Sequence, residues 1–550
     1  MNNMLAGLNL KKLKGYADWK LLLFLLLFLN VKLAIKIPAI VIIYILQFDF
    51  KFGFKLKNSR LPLFYPLVMV IPFIDLLLNK SYTNPNYLLV FLTGMGFWLL
   101  CILAIHQVKL FTEKNEPEVI HRTILIFFVI NAVVSLLNMA VIIGEIRDLN
   151  PYTYQGQYQK YFIGTGDYIK GLTFDTSTTN AILNAFGVIY FLIRKNAVMQ
   201  LVCMVTLLFT ASNTANILLV LILAGLFLFN TSREQKSMIA VCLVLLIVFM
   251  AKISPQNNRY VMETFESVFH KGSLNKPVII LHPVPLTERP DSTLNPEEKK
   301  QKIAMLYLDS VQKAIILKNL PKPPTRHFGQ PLLVEESGRI LIPKADINSA
   351  PYQNIKTTPI AQKPLVAFIN NNKTALPISG QSRYNTNLPG KVAGALQTVN
   401  FLKQHPAKIL TGDGMGNFSS KLAFRVTGLG MSGGYPAKHT YINPDFEVNH
   451  LDLYLNFFSK RAGYHSLINS PFSVYDQLLA EYGLLGFFAL FACYLGFFAK
   501  HYKTLTYGLP ILALTASMLF FDYWFEQLSV LVFFELMLLL NIKETTVNYA

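Results

Sequence analysis

Charged side chains are scarce, at 15% of the 550 residues, where a soluble globular domain carries about 25%. That shortfall excludes an ordinary water-soluble globule as the whole fold. Acids are the scarcer sign, 31 against 50 Lys and Arg, so the formal charge is +19. The basic excess is spread over many short loops, which suits lipid head groups and phosphorylated substrates better than nucleic acid. Only four cysteines occur (Cys101, Cys203, Cys242, Cys493), all inside apolar runs. The long polar stretch therefore has no disulfide framework. No His, Cys and Asp spacing resembles a closed zinc site, although His439, Asp445 and His450 could be strung into one. The run Gly412-x-Gly414-x-Gly416 lacks the strand and the Lys of an NTPase phosphate loop. No internal repeat and no long low-complexity tract is present.

Apolar length is abundant. The chain is 53% hydrophobic, with a mean hydropathy of +0.39. A spanning helix needs about 20 mostly apolar residues. Runs of that kind fall at 19–33, 37–49, 61–79, 85–108, 120–144, 178–193, 197–212, 214–230 and 237–253. Three more follow at 474–499, 508–522 and 525–541. The basic N-terminus before Leu21 has signal-like features but no small-residue cleavage site, which predicts an uncleaved first span. Basic connections recur at 50–60, Arg194-Lys195, Arg233 to Lys236 and Lys500 to Lys503, every second connection along the chain. Short basic loops stay cytoplasmic. The expectation is an all-α polytopic integral membrane protein of about twelve transmembrane helices. Both termini lie inside, and a large extracytoplasmic loop precedes the last three spans. The organisation is then 1–253 for nine spans with an external loop at 145–177, 254–472 for the large loop, and 473–550 for three spans and a tail.

The large loop divides again. Residues 254–375 are rich in Pro and short strand-like runs, with one amphipathic helix predicted over 296–319. No catalytic signature appears there. Residues 381–472 hold the motifs. Over 254–470 there are 25 Lys and Arg against 14 Asp and Glu, which reads equally as a solvated surface or as a funnel for a lipid diphosphate.

Arg383 precedes a helix-like segment, 390–404, with Val392, Ala395, Leu396, Val399 and Leu402 on one face. Arg425 follows the Gly-rich turn, with Lys421 between them. A guanidinium holds two phosphate oxygens at once and offsets charge on a leaving diphosphate; either Arg alone also reads as a surface ion pair. His450 and His465 are the proton-transfer candidates, since imidazole titrates near neutrality; a lone loop His is more often simply exposed. Beyond them, Ser470 or Ser473 can cap a helix whose positive end faces outward. Glu481 lies one or two turns inside it, either as a functional carboxylate or as a helix partner of Gln477. Gly483 and Gly486 permit close helix approach. In the earlier external loop, Arg147, Lys160 and Lys170 precede Gly171 to Asn180, which suits a grip on a phosphate from the other side or an ordinary polar loop.

The topology, the segment from Arg383, the run Pro406 to Gly416 and the motif Glu481-x-Gly483-x-x-Gly486 together resemble the O-antigen ligase and polymerase family of bacterial membrane glycosyltransferases. The resemblance implies a metal-independent, inverting enzyme with no cofactor. It would move a glycan from undecaprenyl pyrophosphate onto a lipid A-core sugar at the periplasmic face of the bacterial inner membrane. Polymerases and ligases that glycosylate protein hydroxyls share these motifs. Carried over, Arg383 and Arg425 hold the diphosphate and His465 deprotonates the acceptor. Arg147, Lys170, Lys421, His450 and Glu481 are then substrate-binding residues. The chain departs from the family pattern at Phe472, where a His is usual nine residues before the Glu. It departs again at Tyr168 and Ile169, where an Arg is usual. A transporter, which would need charges or broken helices at mid-membrane, and a non-catalytic assembly subunit are the readings from other classes.

Overall fold

The computed structural model describes residues 15–30, 32–52, 61–153, 169–174, 176–229, 231–254, 388–428, 433–458 and 467–548, with short pieces at 286–288, 290–291, 302 and 305–306. The expected helix over 296–319 lies almost wholly outside them. The described residues are helical, with no strand among them. The helices up to the long loop are α1 (Trp19–Phe28), α2 (Leu33–Leu46), α3 (Phe64–Leu78), α4 (Pro85–Lys114), α5 (Pro117–Ile146), α6 (Ser177–Ile193), α7 (Ala197–Phe209), α8 (Asn213–Phe229) and α9 (Arg233–Val248). Beyond it come α10 (Gly390–Gln404), α11 (Lys421–Arg425), α12 (Asp452–Phe458), α13 (Val474–Phe488), α14 (Gly508–Met518), α15 (Trp524–Gln527) and α16 (Ser529–Asn548).

Four stretches are long and apolar enough to cross a membrane: Pro85–Lys114, Pro117–Ile146, Arg233–Ile253 and Val474–Ala499. Their outward faces stay apolar, with Leu92, Leu99, Leu136, Val141, Val244, Ile247 and Phe488 exposed. An apolar outer face is what lipid requires and water penalises. The chain is a helical membrane protein.

Helix α16 runs through the middle. Val530, Leu531, Phe533, Phe534, Met537 and Leu538 are fully buried among the other helices. Local sequence sets several helix starts. Asn84 caps α4 ahead of Pro85, and Ser232 with Gln235 forms a capping box at α9, each supplying acceptors to otherwise orphaned amides.

Polar contacts define the two ends of the bundle. At one end, Lys543 donates to the carbonyls of Thr112 (2.8 Å) and Asn115 (2.7 Å), and Arg194 reaches Glu544 and Glu118, both at 3.1 Å. Asn541 Oδ1 accepts from the amides of Thr506 and Gly508 there, both at 2.9 Å. At the other end, Asn150 donates to Ile253 O (3.0 Å), Tyr152 to Phe209 O (2.6 Å), and Asn86 to Thr440 O (3.2 Å). The 388–476 segment sits at this second end, over the start of α4.

Candidate active site

The site is built on an interrupted helix. Within α13, Gly483 has φ 63° and ψ −163°, a conformation open only to glycine. A side chain there would also meet Leu410 O at 2.3 Å. The turn 409–420 slots into the gap and exchanges backbone hydrogen bonds with it. Asp413 N donates to Ala480 O (2.9 Å) and Gly414 N to Glu481 O (3.2 Å). In return, Leu484 N and Leu485 N donate to Ile409 O (2.8 Å) and Leu410 O (3.1 Å). Buried backbone groups must be paired somewhere, and here the turn pairs those that the break sets free.

Glu481 completes the lock. Its Oε2 accepts from Gly416 N (2.7 Å), and its Oε1 from the amides of Phe418 (3.0 Å), Ser419 (3.0 Å) and Ser420 (2.9 Å). The positive φ values of Gly412, Gly414 and Gly416 wind the turn so that its N–H groups face this carboxylate. The glycines thus cradle an anion, but the anion belongs to the protein. Glu481 therefore fits neither expectation directly: its oxygens are occupied by backbone, and Gln477 pairs instead with Glu526 at 2.7 Å.

The turn also lies deep. Met415 and Leu422 pack on Gly94 of α4, where a methyl group would strike Met415 at 2.5 Å. Trp98 Nε1 donates to Tyr482 Oη at 2.8 Å. Gly94 is nine residues past Pro85, about 14 Å along the helix.

From this turn emerges α11, capped by Ser420, whose Oγ accepts from Ala423 N at 3.0 Å. It carries Lys421 and Arg425, both half-buried. Arg425 Nε donates to Gly434 O at 3.1 Å, and its guanidinium lies 6.0 Å from the Phe97 ring. Phe97 is still deeper than Gly94. Neither Lys421 nor Arg425 forms an ion pair with a carboxylate among the described residues, though both act electrostatically on Glu526. Two neighbouring cations with no carboxylate ion pair among the described residues, one of them beside an aromatic ring, suit an incoming anion.

On the other flank, Lys408 bridges Asp413, in direct contact, and Asp445 at 3.2 Å. Burial pushes the Asp413 carboxyl up to about 8, against the pull of Lys408. The same carboxylates raise Lys408 despite its partial burial.

His450 is fully buried, its ring 4.8 Å from that of Phe418. Its Nε2 is 3.4 Å from Asp476 Oδ2, and its Nδ1 has no hydrogen-bond partner among the described residues. Below it, the buried Lys391 amine donates to Ser470 Oγ (3.0 Å), Phe521 O (3.3 Å) and, in close contact, Phe472 O. Burial lowers its pKa to about 7, with Asp522 and Asp476 pulling the other way. Phe472 packs on Tyr523 (4.5 Å) and Phe457 (5.1 Å). The position where the family resemblance expects an imidazole is thus part of an aromatic stack, and His450 approaches the same helix start from α10's side.

No protein-family model, curated protein or solved structure matches the chain. The residues must speak for themselves.

Of the expected site residues, the structure gathers Lys421, Arg425, His450 and Glu481 around the 412–425 turn. Arg147 is exposed at the left-handed end of α5 (φ 56°). Lys170 is half-buried before Gly171, on a loop whose amides donate to Asn138 (3.0 Å) and Asn131 (3.1 Å) of α5. Asn180 of α6 also holds that loop, donating to Ile169 O at 2.9 Å. Arg383 and His465 lie outside the described residues. Ser473 caps α13, accepting from Asp476 N at 3.4 Å.

The α10 helix forms over the expected range. Of the face read from its spacing, Val392, Ala395, Leu396 and Val399 are exposed and Leu402 is buried, while Lys391, Gly394, Gln397, Thr398 and Phe401 are buried. The face is chosen by Phe401 stacking on Phe418 (4.5 Å) and by the Lys391 bonds. Lys391, Asp413 and Asp476 were missed as site residues; Asp476 carried only a capping signal. Among the described residues no three His, Cys, Asp or Glu side chains converge as metal ligands would.

Proposed function

We propose that the chain is a polytopic glycosyltransferase of the ligase type, moving a glycan from undecaprenyl pyrophosphate to a hydroxyl acceptor such as a lipid A-core sugar. One observation carries the reading. Arg425, 6.0 Å from the Phe97 ring of the membrane-length helix α4, and Lys421, one turn before it, form no carboxylate ion pair among the described residues, and both leave a turn fixed by four amides to Glu481. A polyprenyl donor keeps its tail in lipid and presents its diphosphate to cations placed beside such a helix.

In this reaction the acceptor oxygen bonds to the anomeric carbon as the bond from that carbon to the diphosphate oxygen breaks. The electron pair leaves with the diphosphate, where the two cations offset it. The acceptor proton passes to an imidazole, for which His450, held by Asp476, is the described candidate; His465 is the other. Arg383 is proposed as a further diphosphate ligand, with Arg147 and Lys170 approaching from the earlier loop. The topology that goes with this has about twelve spans, cytoplasmic termini, and the 388–476 end of the bundle at the periplasmic face of a bacterial inner membrane. The end holding Arg194, Lys195 and Lys543 would then be cytoplasmic, as the distribution of basic loops favours.

A broken helix also occurs in transporters. Here the freed groups at Ala480, Glu481, Leu484 and Leu485 are all bonded to the turn, so none is left for a solute. Transfer is therefore the better reading, with a polymerase or a protein O-glycosylating ligase as its near variants.

The test is direct. Purified protein is given undecaprenyl-pyrophosphate glycan and hydroxyl acceptors, and transfer is followed by gel shift. The double variant Lys421→Ala with Arg425→Ala should lose at least a hundredfold in rate. Undiminished transfer by that variant would overturn the assignment of the anion site.

A further inference from the structure

A cleft separates α10 from the start of α13. Val399, Leu479, Phe487 and Phe520 line it, and its polar lining is Ser473, Asp476 and Lys391, whose amine already donates to Ser470, Phe472 and Phe521. Asp476 is backed by His450. Gly394 of α10 lines the cleft, and a methyl group placed on it would lie 3.7 Å from His450 Nε2 and 3.9 Å from Asp476 Oδ2. The absent side chain leaves the Asp476 carboxylate open to the cleft, with the buried His450 ring behind it. The outer rim continues into uncovered apolar surface: Val392 (44% exposed) and Leu396 (46%) on α10, Leu485 (46%) and Phe488 (62%) on α13. Those α13 residues belong to a stretch long and apolar enough to cross a membrane, so the surface beside the cleft is lipid-facing, and the cleft opens sideways into lipid.

We infer that this cleft binds a hydroxyl-bearing amphiphile, with the hydroxyl on Asp476, which His450 backs, and the apolar portion between Val399 and Phe520. Two observations converge on that occupant. Asp476 Oδ2 is shared only loosely, at 3.4 Å, and has room to accept from a hydroxyl. The walls are apolar and continuous with the lipid-facing helix, which suits an acyl or alkyl chain and excludes a free sugar.

Phe418 connects the cleft to the cation site, since it stacks on His450 at 4.8 Å and stands three residues before Lys421. The inference rests on the transfer reading for its meaning, because it makes the acceptor a membrane amphiphile approaching from one side of the turn while the donor diphosphate approaches from the other. As a binding statement it stands alone.

The experiment uses the full chain in nanodiscs and two probes. One is dodecyl glucoside with a photoreactive diazirine in its chain; the other is the matching diazirine-bearing dodecane, which has no hydroxyl. Saturable labelling within 391–404 and 473–487 is expected for the glucoside, at least fivefold above the alkane. Val399→Trp, which fills the cleft, and Asp476→Asn, which weakens its acceptor, should each cut that labelling at least threefold. Equal labelling by the two probes, or full labelling of Val399→Trp, would overturn the inference.

A parallel arm measures binding of farnesyl diphosphate by the same proteins. Loss of diphosphate binding in Arg425→Ala with glucoside labelling intact leaves the cleft standing and supports two separate subsites. If the unmodified chain fails to bind farnesyl diphosphate but still takes the glucoside, the transfer reading falls and the cleft remains. If the unmodified chain binds the diphosphate but shows no hydroxyl-dependent labelling, the cleft falls and the transfer reading remains.

Discussion

Replacing Glu481 with Gln alters the lock between the turn and the span while keeping its size. The carboxylate accepts four amides, three on Oε1 and one on Oε2. Gln offers one carbonyl oxygen, best placed where Oε1 serves Phe418, Ser419 and Ser420. Its NH2 then faces Gly416 N–H, donor against donor. An orphaned buried amide costs about 1–3 kcal/mol. The three remaining bonds lose their charge assistance, roughly half their strength each. Because such terms are not additive, a net weakening of about 3 kcal/mol is expected. At about 1.4 kcal/mol per decade, local opening of the turn becomes roughly a hundredfold more frequent. Hydrogen exchange followed by mass spectrometry over 412–420, in nanodiscs, reads that opening directly. The amides of Phe418 to Ser420 should exchange roughly a hundredfold faster, while α16 stays unchanged. Exchange of those amides within threefold of the parent protein would refute the idea that Glu481 holds the turn.

Gly483→Ala forces a side chain into a glycine-only conformation against Leu410 O; assembly should fail or the Trp98–Tyr482 contact should be lost, seen as a changed tryptophan emission, and unaltered emission with normal yield would contradict the proposed break. Asp413 gives a pH dependence of known sign. Its folded-state pKa is raised from the usual 3.8 to about 8, so its contribution is present at low pH and declines as pH rises through 8. Melting temperature should therefore fall between about pH 5 and pH 8 in the parent protein, and the slope should flatten in Asp413→Asn; identical slopes would remove Asp413 as the source.

Much of the helical plan was legible because apolar length is a one-dimensional property. The observed α4, α5, α9 and α13 fall on the expected runs, and the Ser473 cap and Gly390–Gln404 helix were readable from local signals. The interruption at Gly483 was not. A glycine in an apolar helix reads as a packing position, and only the partner turn, some seventy residues earlier, reveals that the helix is open there. The partners of Glu481 were hidden for the same reason: they are backbone amides, which have no sequence signature. The exposed stripe of α10 shows the limit of periodicity: Val392, Leu396 and Val399 share one face, and spacing alone does not say whether the helix buries that face or, as here, the one carrying Lys391, Gln397, Thr398 and Phe401.

The shared hydrogen bonds between residues 409–414 and 480–485 also constrain how the chain is made. The turn leaves the ribosome before its counterpart does, and until the later segment arrives it has nothing to fill. Entering the bilayer alone would strand several peptide groups in hydrocarbon, at several kcal/mol each. The earlier piece must therefore wait in water, and the two must enter the bundle as one late event of biogenesis.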